Sequence, residues 1–135
     1  MRGAPGASAL SYIRGRGFTD EIIKHFHLGY APAHGGADEL YRSLLKAGYS
    51  KDDCEKSGLV LSKGTDSSQH FDRFRNRLMF PIRDSAGRTV AFTGRALDPN
   101  DQAKYLNSPE TDLYKKSEIL FCMDRAKDAI RVRGF

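Results

Sequence analysis

Between Arg77 and Arg95 the chain carries two apolar runs around a polar break. The first is Arg77-Leu78-Met79-Phe80-Pro81-Ile82-Arg83-Asp84, the break is Ser85-Ala86-Gly87, and the second is Arg88-Thr89-Val90-Ala91-Phe92-Thr93-Gly94-Arg95. Runs of this length, split by a short segment with glycine, predict two strands joined by a tight turn. Pro81 cannot donate to a ladder, which predicts that its strand lies at an edge or is interrupted there.

Around this hairpin the pattern changes to helical spacing. Thr19 before Asp20 and Glu21 predicts a helix start, with Ile22, Ile23 and Phe26 as an apolar stripe closed by Gly29 and Pro32. Asp38 to Ala47 carries Leu40, Leu44 and Leu45 and ends at Gly48, an amphipathic helix. Ser50 caps a third short turn through Asp53, while Ser62 to His70 is polar and reads as a loop. Asp98 to Gln102 reads as a second loop, and Met123 to Val132 as a final helix with Ala126, Ala129 and Ile130 on one side. These elements predict an α+β fold, short helices packed on a small, mainly antiparallel sheet with a central hairpin. The 135 residues fit one domain.

The formal charge is +5, and the window Arg73 to Arg95 holds all of it, six arginines against Asp84 alone. A concentrated cationic window is the footprint expected for a polyanion. Cys54 and Cys122 stand far apart without a CxxC or Cys/His ladder, so neither a zinc site nor a disulfide framework is signalled, and a reduced cytoplasmic compartment is expected. Met1 to Ala9 has no apolar h-region, and no membrane-length apolar run follows, so export and membrane insertion are not expected. Acidic residues are scattered, and no Asp-x-Asp or Glu cluster follows a buried strand. The chain therefore lacks the paired carboxylates of a two-metal phosphoryl-transfer site.

Arg73, Arg75 and Arg77 recur every second residue, so an extended chain would send all three guanidinium groups from one face. Such a stripe suits a nucleic-acid backbone or a triphosphate. The plainer alternative is a solvated face partly paired by Asp72 and Asp84. Lys104-Tyr105 sets a cation beside an aromatic ring, suited to a phosphate and a stacked base, or simply a half-buried tyrosine. Asn107 to Thr111 is rich in turn-forming groups. Lys115-Lys116 adds two cations, and Arg14-Gly15-Arg16-Gly17 places two more among glycines. His25 and His27, two residues apart on a helix, point apart and are not taken for metal ligands.

Taken together, Phe71-Asp72-Arg73-Phe74-Arg75-Asn76-Arg77-Leu78-Met79-Phe80-Pro81-Ile82-Arg83-Asp84, Gly87-Arg88, Phe92-Thr93-Gly94-Arg95 and Lys104-Tyr105-Leu106-Asn107-Ser108-Pro109-Glu110-Thr111 resemble the bacterial DnaG-type DNA primases. Tyr12-Ile13 through Arg16-Gly17-Phe18 and Leu28-Gly29-Tyr30-Ala31-Pro32 are similar to an upstream segment of the same family, so the likeness covers nearly the whole chain. The resemblance implies the N-terminal subdomain of a primase catalytic core, preceding a TOPRIM domain whose Glu and Asp residues bind divalent metal (Mg or Mn). It implies a piece, excised or truncated, without the zinc-binding, TOPRIM and helicase-binding domains. No catalytic residue and no metal site is then expected within it.

By the same resemblance, Arg16, Arg95, Lys104 and Lys116 contact template or nucleotide phosphates, and Arg73, Arg75, Arg77, Tyr105 and Asn107 line the groove near the nucleotide. The implied partners are single-stranded DNA template, RNA primer and ribonucleotides, with a replicative helicase engaged through an absent domain. The implied activity of the full protein is DNA-directed RNA synthesis. Three departures from the family pattern stand out. Thr93 and Cys122 occupy positions where glycine is usual, and the loop Ala33-His34-Gly35-Gly36 offers no Trp for stacking. Two other readings of the same residues are a stand-alone single-strand-binding module and a protein-interaction domain.

Overall fold

A computed structural model describes residues 6–33, 35–64 and 69–133. The two apolar runs are strands β4 (Arg77–Arg83) and β5 (Thr89–Ala96), paired antiparallel from Arg77↔Ala96 to Arg83↔Thr89 with a bulge between Ile82 and Arg83. Asp84 builds the turn. Its Oδ1 accepts from the amides of Ala86 and Arg88, both at 3.0 Å, and Gly87 takes φ 83, which only glycine adopts without strain.

The remaining elements, in chain order, begin with helices α1 (Ala7–Gly15) and α2 (Asp20–His25) and strand β1 (Gly29–Ala31). Helices α3 (Glu39–Lys46) and α4 (Lys51–Lys56) follow, then strands β2 (Val60–Lys63) and β3 (Gln69–Asp72). After the hairpin come strand β6 (Tyr105–Asn107) and helix α5 (Met123–Arg133). The larger sheet has the order β1-β4-β5-β6 and the smaller is the β2-β3 pair, all antiparallel. The expected α+β architecture with a central hairpin is the observed one.

Local signals account for the helices. Thr19 Oγ1 accepts from the Ile22 amide, and Ser50 with Asp53 forms a reciprocal capping box, so α4 runs on past Asp53 to Lys56. The N-terminus of α3 is different. Asp38 turns to Arg42, and the cap comes from Asp72 at the end of β3, whose carboxylate accepts from the amides of Leu40 (2.8 Å) and Tyr41 (3.0 Å).

Several expectations change. The stretch Ser62 to His70 is not all loop, because its two ends are strand residues of β2 and β3; residues 65–68 within it, like His34 in the loop after Pro32, lie outside the described residues. Among the described residues Asp72 pairs with no arginine, its two oxygens being engaged by α3. Pro81 sits in an inner strand, but β1 reaches only Arg77 to Met79, so nothing on that side asks Pro81 for a donor. Met1 to Ala9 ends inside helix α1, which no local cap announces.

The core is divided into three clusters. Ile13, Ile23 and Leu78 gather Leu10, Leu28 and Phe80; Tyr41, Cys54 and Val60 gather Leu44; and Ile82, Ala91 and Tyr114 gather Val90 and Ile119. A polar contact reinforces the second cluster: His70 stacks on Tyr41 at 4.4 Å and its Nε2 meets Glu55 Oε1 at 2.7 Å, joining α3, α4 and β3. The turn at Gly58 (φ 72) leans on Pro109, whose Cδ and Cγ would lie 2.9 Å from a Cβ there.

Candidate nucleic-acid interface

Strand register sets the candidate surface. Tyr30, Leu78, Arg95 and Tyr105 form one row across the four strands, and Thr93 and Asn107 form a pair two residues along on the same face. Helix α1 lies over this face through Ile13 against Leu78. One turn of α1 separates Tyr12 from Arg16, so both side chains leave the same side of the helix.

The result is a ladder of alternating cations and rings. Arg16 Cζ stands 5.9 Å from the Tyr12 ring centroid, Arg95 Cζ 5.5 Å from the same ring, and Arg95 Cζ 5.4 Å from the Tyr105 ring. Arg95 Nη1 donates to the Tyr105 hydroxyl at 2.8 Å, while its Nε is buried without a hydrogen-bond partner among the described residues. The bonded Tyr105 hydroxyl raises the Arg95 guanidinium above its ordinary value, so its charge is fixed. Tyr105 is 61% exposed, far more open than a half-buried tyrosine, and Lys104 beside it is exposed too. A depression of about 450 Å³ lined by Ser8, Tyr12, Asn76, Leu97, Asp98 and Pro99 adjoins the ladder.

The Arg73-Arg75-Arg77 stripe does not form. Bends at Arg73 and Asn76, the latter at φ 50, interrupt the strand, and Phe74 between them turns inward to 5% exposure. Arg73 forks onto the Asn107 carbonyl through Nε (3.0 Å) and Nη2 (2.7 Å), and burial pulls its guanidinium down from the ordinary value. It still ties the candidate edge strand in place. Arg75 is exposed and has no hydrogen-bond or ion-pair partner among the described residues.

Arg77 lies on the opposite face, 5% exposed, as an internal clamp. Its Nη1 donates to the carbonyls of Ala103 (2.7 Å) and Gly94 (3.3 Å), and its Nη2 meets Asp101 Oδ2 at 2.7 Å. Gly94 makes the crossing possible, since a Cβ there would sit 2.9 Å from Phe74 Cδ1 and 3.1 Å from Arg77 Cδ. Arg77 thereby fastens the loop that leads to Lys104. Arg83 and Arg88 are also engaged, with Asp124 at 3.6 Å and Asp84 at 2.8 Å.

Of the nine candidates, the structure brings Arg16, Arg95 and Tyr105 together, with Lys104 next in the chain and Arg73, outside the strands, bonded to the carbonyl of Asn107 on β6. Lys116 stands apart, exposed beyond the Thr111–Tyr114 bridge. Sequence reasoning did not single out Tyr12, whose i, i+4 spacing to Arg16 becomes meaningful only once α1 is recognised as a helix. Among the described residues no three His, Cys, Asp or Glu side chains are grouped to hold a metal ion.

Residues 1–127 match the family model of the DNA primase catalytic core, N-terminal domain. This chain belongs to that family. Among curated proteins, the DNA primase of Deinococcus radiodurans is 46% identical over 122 residues, which is 90% of this chain and 21% of that protein. The DNA primase of Staphylococcus epidermidis is 40% identical over 131 residues, 97% of this chain and 21% of its own length. The primase-core chain thus spans about a fifth of these relatives.

Solved structures agree. The RNA polymerase domain of Mycobacterium tuberculosis primase DnaG, in complex with a double-stranded DNA oligomer with a 6-nucleotide overhang, superposes with TM-score 0.85 at 39% identity, covering 96% of this chain and 39% of that one. A DnaG primase catalytic domain bound to single-stranded DNA gives 0.82 at 35% identity, covering 95% and 38%. Membership of the primase-core family also gives a physical setting to one departure noted above. Cys122 has φ 62, in the left-handed region where glycine is at ease.

Proposed function

We propose that this chain is the template-binding N-terminal part of a DNA primase, a DNA-directed RNA polymerase that makes short RNA primers on single-stranded DNA during replication. The observation that carries the reading is the ladder Arg16-Tyr12-Arg95-Tyr105 beside Lys104, cations and rings on one open surface of a primase-core fold. Arginine forks meet phosphates, and ring faces accept bases of any sequence, so such a surface gives affinity and register with little sequence information. Arg73 and Arg77 fix the edge strand and the loop that carry it, while the exposed Arg75 and the separate Lys116 are further cations offered to the same template.

The same reading takes residues 1–135 as one subdomain and assigns RNA synthesis to the larger protein. The divalent metal, Mg or Mn, would be held by carboxylates elsewhere in that protein, since among the described residues no acidic cluster fits it. Ribonucleotides, the RNA primer and a replicative helicase are the remaining partners of the proposal, the helicase through a further domain.

Binding of labelled single-stranded DNA tests the assignment. Affinity should be weak, fade as salt rises, and drop in Arg75→Ala and Lys104→Ala without a change in melting temperature. Unaltered affinity in both variants would overturn the surface assignment. Absence of any binding at low salt would favour a protein-interaction domain instead.

A further inference from the structure

We propose that Tyr12 is a positioning residue of this surface, holding Arg16 and Arg95 in place through its ring faces so that both guanidinium groups meet one phosphate track. The inference rests on the function proposed above and adds to it how the cations are held.

Most arginines of the charged window are ordered by carboxylates or carbonyls, which consume their donors. Arg77 spends Nη1 and Nη2 on Ala103, Gly94 and Asp101, Arg83 faces Asp124, and Arg88 faces Asp84. Arg16 and Arg95 are held differently. Neither has an ion pair among the described residues; both stand against the Tyr12 ring, at 5.9 and 5.5 Å from its centroid.

A ring quadrupole attracts a cation without neutralising it and without accepting through a lone pair, so the charge and the outer donors stay available to phosphate. At Arg95, Nη1 is bonded to Tyr105 and Nε is buried with no acceptor, so Nη2, which makes no hydrogen bond among the described residues, is the donor left for phosphate; the Tyr12 hydroxyl adds to its ring in favouring the charged guanidinium. A long flexible side chain ordered beforehand also loses less freedom on binding.

Tyr12 rather than Tyr105 is the hub. It meets both cations, and it stands one turn before Arg16 on α1, where neighbouring Ile13 is 1% exposed. Tyr105 meets Arg95 alone, from an edge strand, and is left open for a base.

Two readouts test this on the 135-residue chain. In ¹⁵N–¹H spectra the Arg95 Hε signal should be ring-shifted, keep most of that shift in Tyr12→Phe and move towards the ordinary position in Tyr12→Leu. With labelled oligodeoxythymidylate as probe, Tyr12→Leu should bind roughly 3- to 10-fold more weakly, as the loss of one or two partly exposed cation–ring contacts implies. Tyr12→Phe should bind as the parent does, and Tyr12→Leu should add nothing when Arg16→Ala and Arg95→Ala are already present.

An unshifted affinity in Tyr12→Leu, or an equal loss in the double-alanine background, would overturn the positioning role; the second result would make Tyr12 itself a DNA contact. If the parent chain binds no probe, the function proposed above fails, and the Hε signal alone decides whether Tyr12 holds Arg95. If Tyr12→Leu does not fold, Tyr12→Met serves with the same expectations.

Discussion

Arg75 and Arg77 stand two positions apart, yet one faces water and the other is 5% exposed with its donors shared among Ala103, Gly94 and Asp101. Strand alternation would have put both outside. The bend through Phe74 and Asn76 decides otherwise, and nothing in the residue types at 73–77 reveals that Gly94, seventeen positions on, leaves room for Arg77 to cross. The two arginines should therefore separate cleanly in experiment. Arg77→Ala removes the shared partner of the Gly94 and Ala103 carbonyls and of Asp101 and should cost about 1–3 kcal/mol of stability, read as a lower denaturation midpoint, whereas Arg75→Ala should leave the midpoint unchanged. An Arg77→Ala protein as stable as its parent would mean that the clamp is not holding the loop. Candidates were legible at this scale where they are neighbours in sequence, as with the exposed Lys104-Tyr105 pair; Tyr12 was not, because its partners Arg16 and Arg95 come from a helix turn and a distant strand.

At the scale of elements, legibility followed the range of the interactions that define each one. Helices α2 and α4 announce themselves through Thr19 and Ser50, which act within three residues. The hairpin β4-β5 does so through its apolar runs and Asp84. Strands β1 and β6 have three residues each, too few to show a period, and they exist because β4 and β5 offer them an edge. The cap of α3 is beyond any local reading, since Asp72 acts from thirty-one residues away on Tyr41. Asp72→Ala should cost about 1–2 kcal/mol and speed hydrogen exchange at Leu40 and Tyr41 before that at Leu78. Unchanged protection at those two amides would show that Asp38 can take over the cap.

For the whole molecule, acid is the condition that reaches several supports together. The Asp84 carboxyl is held below its usual range, chiefly by the Arg88 amide, and the Asp53 carboxyl likewise by Ser50. Because the folded values are depressed, their contribution is complete above the unfolded carboxylate value of about 3.9 and is lost as pH falls through the folded values. Melting temperature should therefore decline below about pH 4, and less steeply in Asp84→Asn, where one titrating support is gone; parallel profiles would exclude Asp84 as a contributor. A further consequence comes from Gly58, pressed so closely to Pro109 that no side chain fits between them. Pro109 lies two residues beyond Asn107, the end of the strand that presents Tyr105 and the carbonyl gripped by Arg73, so the packing at Gly58 acts as a backstop for the edge proposed to meet DNA. A bulky residue at 58 would tilt that edge from behind, and on the proposed reading would weaken template binding in a protein whose every surface charge is still in the sequence.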